Sequence, residues 1–269
     1  MNKPGPLTGE LAKALHGDMV PKFLATLDET GKPNLVPVTS LDAGDSATLF
    51  FGQFLLWKTR RNLLSNPRVA VMVMTEDLRV WLLRGKFREF VTGGELVERM
   101  NEKPLFRYNA YLRISQVGLI DVEELVAAFR ISTVDVMMTL APAWAISQII
   151  GVLDQRKLSP RIRDKFARTK ALKALAVKDQ SGYPAIFPAL SLWPTDGDLM
   201  TFCRSPGSYC PKLEKTAQIA GVVLTAEPIA YQIKGTYEGG DPLGLVGVIR
   251  VRESYSASPP LPGAAIPLR

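Results

Sequence analysis

The sequence predicts a mainly β protein with helical insertions (α+β), built as two tandem six-stranded barrels. Three observations predict it. First, the chain repeats itself. When Lys22–Phe51 is set against Lys173–Phe202, an offset of 151, eleven of 30 positions are identical without a gap, among them Lys22/Lys173, Asp28/Asp179, Gly31/Gly182, Pro37/Pro188 and Phe51/Phe202. At an offset of 150 the identity continues through Val73/Val223, Thr75/Thr225 and Gly85/Gly235, with Arg84/Lys234 as a conservative pair. Second, short apolar runs bounded by Gly, Pro, Asn and Asp recur in the same order in both copies, which is a strand signal. Third, 269 residues accommodate two units of ordinary domain size. Closure of each unit into a barrel would also remove exposed sheet edges.

In the first unit Phe23–Leu27 leads through Asp28-Glu29-Thr30-Gly31 into Leu35–Ser40. Gly31 suits a turn position with φ > 0 and Asp28 can accept bonds from its own turn, so the pair reads as a hairpin. Ala47–Gly52, Val69–Met74, Val80–Phe87 and Tyr111–Val117 complete six strands, with one short helix at Thr59–Ser65 stopped by Asn66-Pro67. The second unit repeats the order as Leu175–Lys178, Ala185–Ser191, Leu199–Phe202, a helix near Leu213–Ala217, Gly221–Thr225, Ile229–Tyr237 and Val246–Val251. Between the units, Val122–Arg130 and Val134–Leu153 have helical length and spacing, and Ser159–Ala174 reads as a basic helix with Ser159 as N-cap before Pro160. The expected units are therefore 1–121 for the first barrel, 122–170 for a helical connector, and 171–269 for the second barrel with an extended tail at Ser258–Gly263.

Composition narrows the function. At 46% apolar and 22% charged residues the chain is ordinary for a globular protein. Arg156, Lys157, Arg161, Arg163, Lys165, Arg168, Lys170 and Lys173, opposed within that stretch only by Asp164, supply a charge equal to the whole net +7. The remainder is neutral, which argues against nucleic acid wrapped on a broad positive face. Cys203 and Cys210 form no CxxC pair and are too few for a zinc ribbon, and the first residues lack the apolar core of a signal peptide. A cytoplasmic setting is expected. Val136–Leu153 holds 18 residues without a charge, the short limit for a membrane span; a buried helix is the main reading and membrane contact the alternative. His16 is the single histidine, so neither a Ser-His-Asp triad nor a multi-histidine metal site is expected. P-loop and Rossmann glycine motifs are missing too.

Lys58, Thr59, Arg60 and Arg61 crowd the start of the short helix, where unpaired N–H groups and the helix dipole favour an anion. Around them runs an ordered set: Leu24-Ala25-Thr26-Leu27-Asp28, Gly31, Pro33, Val36-Pro37-Val38, Leu49-Phe50-Phe51, Lys58-Thr59-Arg60-Arg61-Asn62-Leu63 and Asn66-Pro67-Arg68-Val69. This set resembles the FMN-binding split barrels, the pyridoxamine 5'-phosphate oxidase-like proteins. The resemblance implies split β-barrels. Because such proteins are usually homodimers with each cofactor between two barrels, it also implies an intrachain pseudo-dimer, present as a monomer or paired again as a homodimer. It makes the anion the phosphate of FMN. It lays the ring against Val36, Pro37, Val38 and Thr39, with Phe51, Gly52 and Gln53 alongside and Trp57 as a cover. The second unit departs from the pattern: Arg204–Lys212 replaces the Gln53–Lys58 region and no Asn-Pro follows. One well-formed site is expected, with first-unit phosphate ligands completed by second-unit side chains.

True pyridoxamine phosphate oxidases use an Arg-x-His pair near the C-terminus, whereas Arg250-Val251-Arg252 has no histidine here. The resemblance therefore implies an FMN-dependent oxidoreductase acting on an apolar or aromatic small molecule, with NAD(P)H as a potential donor, rather than vitamin B6 oxidation. The alternative is a non-catalytic flavin, deazaflavin or haem binding protein. A third class is a peripheral membrane or interaction protein using the apolar and basic stretches. No catalytic residue is assigned. Met137, Met138, Leu140, Trp144 and Ile149 are expected to form a helical lid over the interface between the barrels, beside the flavin.

Overall fold

The computed structural model describes residues 5–7, 9–54, 56–103, 113–150, 156–204, 207–227, 229–240, 246–258 and 262–268. The expected strand start at Tyr111, the helix end at 151–153 and tail residues 259–261 lie outside them.

The hairpins form where turn chemistry demands them. Strands β1 (Lys22–Leu27) and β2 (Pro33–Pro37) meet at a turn in which Asp28 Oδ1 accepts from the Thr30 and Lys32 N–H groups at 3.0 and 2.9 Å. Gly31 there has φ 81°. The first unit continues with β3 (Asp42–Ala43), β4 (Thr48–Gly52), helix α2 (Trp57–Ser65), β5 (Arg68–Met74), β6 (Arg79–Thr92), α3 (Glu95–Glu102) and β7 (Gln116–Arg130), after an N-terminal α1 (Gly9–His16). Two helices follow, α4 (Thr133–Ile150) and α5 (Pro160–Phe166). The second unit comprises β8 (Leu172–Lys178), β9 (Pro184–Pro188), β10 (Trp193–Pro194), β11 (Leu199–Cys203), β12 (Gln218–Leu224), β13 (Ala230–Gly240) and β14 (Val246–Ser256). Its first turn repeats the Asp28 device, with Asp179 Oδ1 accepting from Tyr183 N at 2.9 Å and Gly182 at φ 81°.

The duplication is complete at the level of topology. One sheet runs β2-β1-β5-β6-β7-β4-β3 and the other, read from its matching edge, β9-β8-β12-β13-β14-β11-β10. Each sheet has seven strands rather than six, because the short β3 and β10 extend it. Neither sheet is closed, which corrects the expected closed barrel. The open edges are covered instead: β2 packs on β8, β12 and β13, while β9 packs on β1 and β5. Each unit shields the edge of the other.

This reciprocal packing explains the unbroken apolar runs. Along β1, Leu24 faces the interior of its own unit with Phe51, Val71 and Leu83, while Phe23 and Ala25 face the other unit. Along β8, Leu175 and Val177 face inward and Ala174 and Ala176 face across. Strands buried on both faces read as continuous rather than alternating hydrophobicity. Phe23, Leu35, Met72 and Leu82 of the first unit join Ala174, Ile186 and Val222 of the second in one buried cluster. The chain is thus an intrachain pseudo-dimer of tandem split barrels.

Three expected helices change. Val122–Arg130 is strand, the second half of β7, paired with β6 as far as Arg79↔Arg130. Its Glu-Glu-Leu-Val-Ala-Ala composition favours helix, but a 14-residue partner strand supplies ladder bonds that outweigh that weak preference. Leu213–Ala217 is turn rather than helix, with Thr216 at φ 71°. The basic helix is only α5, since β8 already begins at Leu172; Ser159 precedes Pro160 at its start but makes no side-chain capping bond.

Candidate functional site

Helix α2 is anchored to the first hairpin by two buried polar contacts. Thr59 Oγ1 accepts from Asn34 Nδ2 at 3.3 Å, and Asn62 Nδ2 donates to Thr26 Oγ1 at 3.0 Å. They hold the start of α2 beside β2, with no side-chain cap on its first turn. The second unit reaches into the same place: Gln232 Nε2, from β13, donates to Asn34 Oδ1 at 3.2 Å and to the Leu35 carbonyl at 2.5 Å.

Between these elements lies a cavity of about 220 Å³ lined by Asn34, Val36, Trp57, Lys58, Gln232 and Tyr255, among others. The tail closes one side. Its residues fold back on β14 through Ser256 N–H to Ala264 O (3.0 Å), Gly263 N–H to Ser256 O (2.7 Å) and Ile266 N–H to Ser254 O (2.8 Å), which puts Pro262 and Gly263 in the cavity wall.

An adjoining cleft of about 270 Å³ is lined by Lys32, Lys234, Arg252 and Glu253. Lys58 and Lys234, one from each unit, lie near enough for their ammonium groups to repel. Burial first, and then repulsion by Lys58, pulls the Lys234 pKa down to about 7. Glu253 accepts from Tyr255 Oη at 2.6 Å and from Lys32 Nζ at 3.2 Å, and the Tyr255 bond leads in holding its carboxyl below the usual range, against burial. Burial, reinforced by Glu253, pushes the Tyr255 hydroxyl up to about 12, so it remains a protonated donor. Lys58 Nζ also lies 4.7 Å from the Tyr255 ring centre. Facing ammonium groups beside a cavity are poorly compensated by Glu253 and Asp28, both of which are already engaged by other donors. A phosphate dianion would accept charge-assisted bonds from both lysines.

The residues singled out in the sequence divide. Val36, Trp57, Lys58 and Thr59 come together at the cavity, with Trp57 70% exposed and the Thr59 hydroxyl turned into its Asn34 contact. Pro37 ends β2, half-buried, and Thr39 is exposed just beyond it. Val38 and Phe51 belong to the first-unit core. Gly52 is pressed by Ile114 and Met100, so its close approach is to protein side chains. Gln53 accepts from Arg60 Nη1 at 2.8 Å, and Arg60 lies 4.3 Å over the Phe90 ring. Arg61 is exposed. Asn34, Gln232, Lys234, Glu253 and Tyr255 were not singled out. Lys234 carried one signal, its alignment with Arg84; the others are brought in by packing between the units.

The repeat places a counterpart cavity around Ala185, Leu82 and Arg84, the partners of Asn34, Gln232 and Lys234. It measures about 10 Å³ and has Tyr209 in its wall. Arg84 is turned to Asp179 at 2.6 Å and to the Tyr183 ring. Both bridging amides are lost, and the space is filled. A more open cleft of about 400 Å³ at Glu76, Asp77, Arg130 and Thr133 is larger, but Asp77 is already bonded to Thr75 and Arg79. Helix α4 is not a lid on the 220 Å³ cavity. It packs on β10 and β11, with Thr201 Oγ1 donating to the Ala143 carbonyl at 2.7 Å, and contributes none of that cavity's lining residues.

A family model described as pyridoxamine 5'-phosphate oxidase matches residues 12–133, which take in every strand of the first unit. Among solved structures, HupZ of Group A Streptococcus is 22% identical over 47% of this chain and 94% of its own, with a TM-score of 0.38. An FMN-binding protein from Syntrophomonas wolfei subsp. wolfei is 17% identical over 46% of this chain and 85% of its own, TM-score 0.38. An F420 reductase is 21% identical over 44% of this chain and 97% of its own, TM-score 0.35. No curated protein matches the chain.

Proposed function

The chain belongs to the pyridoxamine 5'-phosphate oxidase-like split-barrel family through its first unit, and from that premise we propose that it is an FMN-dependent oxidoreductase with one cofactor site between its two units. The observation that carries this reading is the Lys58–Lys234 ammonium pair at the unit junction, beside a cavity walled by Val36 and Trp57. Lys58 and Lys234 would hold the phosphate, and Val36 and Trp57 offer apolar surface to the ring system. When bound, FMN supplies the electron-accepting and electron-donating chemistry, so the protein needs no nucleophile of its own.

The remaining roles belong to the chain. Asn34 and Gln232, locked to each other, keep the two units in register at the site. The returning tail restricts water on one side. Tyr255 keeps its proton on Oη, donated to Glu253, so what it offers the wall is its ring and a hydroxyl lone pair. The exposed face of Trp57 suits an apolar or aromatic small molecule as substrate, with NAD(P)H as donor, in the cytoplasm.

The test is the absorption spectrum of the purified full chain, followed by anaerobic addition of NADH or NADPH. Flavin bands that bleach and recover in air support the proposal. A chromophore inert to both donors would favour the alternative of a non-catalytic flavin, deazaflavin or haem binding protein, and loss of flavin only in Lys58→Ala or Lys234→Ala would still locate the site.

A further inference from the structure

Helix α4 is apolar on the side that faces solvent. From Val136 to Ile150 it carries no charge. It packs through a narrow stripe of small residues, Thr139, Ala143 and Ser147, spaced four apart on one face. The opposite side presents Val134, Met137, Met138 and Ile149 at 65–74% exposure, with Trp144 half exposed. Among the described residues it is the one helix long and apolar enough to cross a bilayer, and 17% of it is buried. Its docking on β11 through Thr201 keeps it attached to the second unit.

The chain then turns basic. Arg156, Lys157, Arg161 and Lys170 are exposed, and none makes an ion pair among the described residues. Arg163, Lys165 and Arg168 are by contrast paired with Asp196, Asp164 and Glu227. Helices α4 and α5 both pack against β10, so the apolar face and the basic segment sit at one edge of the second sheet. A second copy of the chain would have to offer acidic complement to these cations, and an aqueous surface leaves Met137, Met138 and Ile149 in water. An anionic lipid surface satisfies both, taking apolar side chains below the headgroups and cations among them.

We propose that the exposed face of α4, with Arg156, Lys157 and Arg161 beside it, seats the protein peripherally on anionic membranes. The proposal is independent of the flavin reading. It is tested by co-sedimentation of the full chain with vesicles of phosphatidylglycerol and phosphatidylcholine against vesicles of phosphatidylcholine alone. Binding only to the anionic vesicles, reversed by salt, is expected. The Arg156→Glu/Lys157→Glu/Arg161→Glu variant should lose roughly fivefold or more in partitioning for each charge reversed. The Met138→Asp/Ile149→Asp variant should lose binding while its far-UV spectrum stays that of the parent. As an independent reading on the unaltered surface, the fluorescence blue shift on vesicle binding should vanish in Trp144→Phe, a change that leaves the fold alone. Absence of sedimentation, equal binding by the variants, or a dimer in ultracentrifugation that Met138→Asp dissolves would overturn the proposal, the last in favour of a second copy.

Discussion

Lys234 shows how a single residue acquires its chemistry from the other unit. Its sequence context is an ordinary strand, and its depressed pKa of about 7 arises from burial and from Lys58 across the junction. An anion bound there would restore its proton. FMN affinity should therefore peak near pH 7, where the phosphate is still largely a dianion, and weaken as pH rises further, until the raised pKa of the bound form is passed. Titration calorimetry in buffers of different ionisation enthalpy would show the accompanying proton uptake. Lys58→Ala or Lys234→Ala should weaken FMN about 10- to 100-fold, whereas Arg61→Ala, on the exposed side of α2, should leave it unchanged. Lys22 and Lys173, identical in the repeat, have diverged in the same way. Lys22 Nζ donates to the Gly17 carbonyl at 2.8 Å near Asp42, while the position of Asp42 is Trp193 in the second unit and Lys173 lies 5.4 Å from that ring centre. Burial lowers the Lys173 pKa to about 7. The unfolded chain therefore holds the extra proton between about pH 7 and the ordinary lysine value of 10.5, so stability should rise with pH through that window. Lys173→Met should flatten this dependence and stabilise the protein at neutral pH by roughly 2–4 kcal/mol, measured by denaturant melts.

At the scale of elements, local rules and long-range pairing part company. The β1–β2 and β8–β9 hairpins and helix α2 were legible because an Asx turn, a positive-φ glycine and an Asn-Pro stop act within a few residues. The second half of β7 was not legible, because what makes Glu123–Phe129 a strand is β6, about forty residues away in the chain. Strands β6 and β13 also share a device. Each breaks register immediately before the aligned Gly85 or Gly235, where the backbone of β7 or β14 comes so near that a Cβ would collide with the Asp121 or Arg250 carbonyl oxygen. Gly85→Ala and Gly235→Ala should each cost about 1–3 kcal/mol in thermal or denaturant unfolding. Gly235→Ala should in addition weaken FMN, since it adjoins Lys234, while Gly85→Ala should leave FMN affinity intact in protein that remains folded.

Over the whole molecule the two units share a topology but only one keeps an open cavity. Asn34 and Gln232 bridge the units on one side; their counterparts Ala185 and Leu82 cannot, and Tyr209 occupies that wall. Flavin titration followed by equilibrium dialysis should accordingly saturate at one FMN per chain, and two would contradict the asymmetry. The sequence by itself determined the duplication, the succession of most strands along each unit and the basic start of α2, because repeats, turn residues and helix ends are local signals that survive in one dimension. It could not determine that the sheets stay open, that β2 and β9 are covered reciprocally, or that Lys58 of the first unit comes near Lys234 of the second. Those depend on which faces of the two units bury each other, and a strand apolar on both faces does not disclose which face turns outward to the partner. The same holds for α4: its apolar composition was evident, but only packing on β11 showed that the small residues are inside and the large ones face solvent.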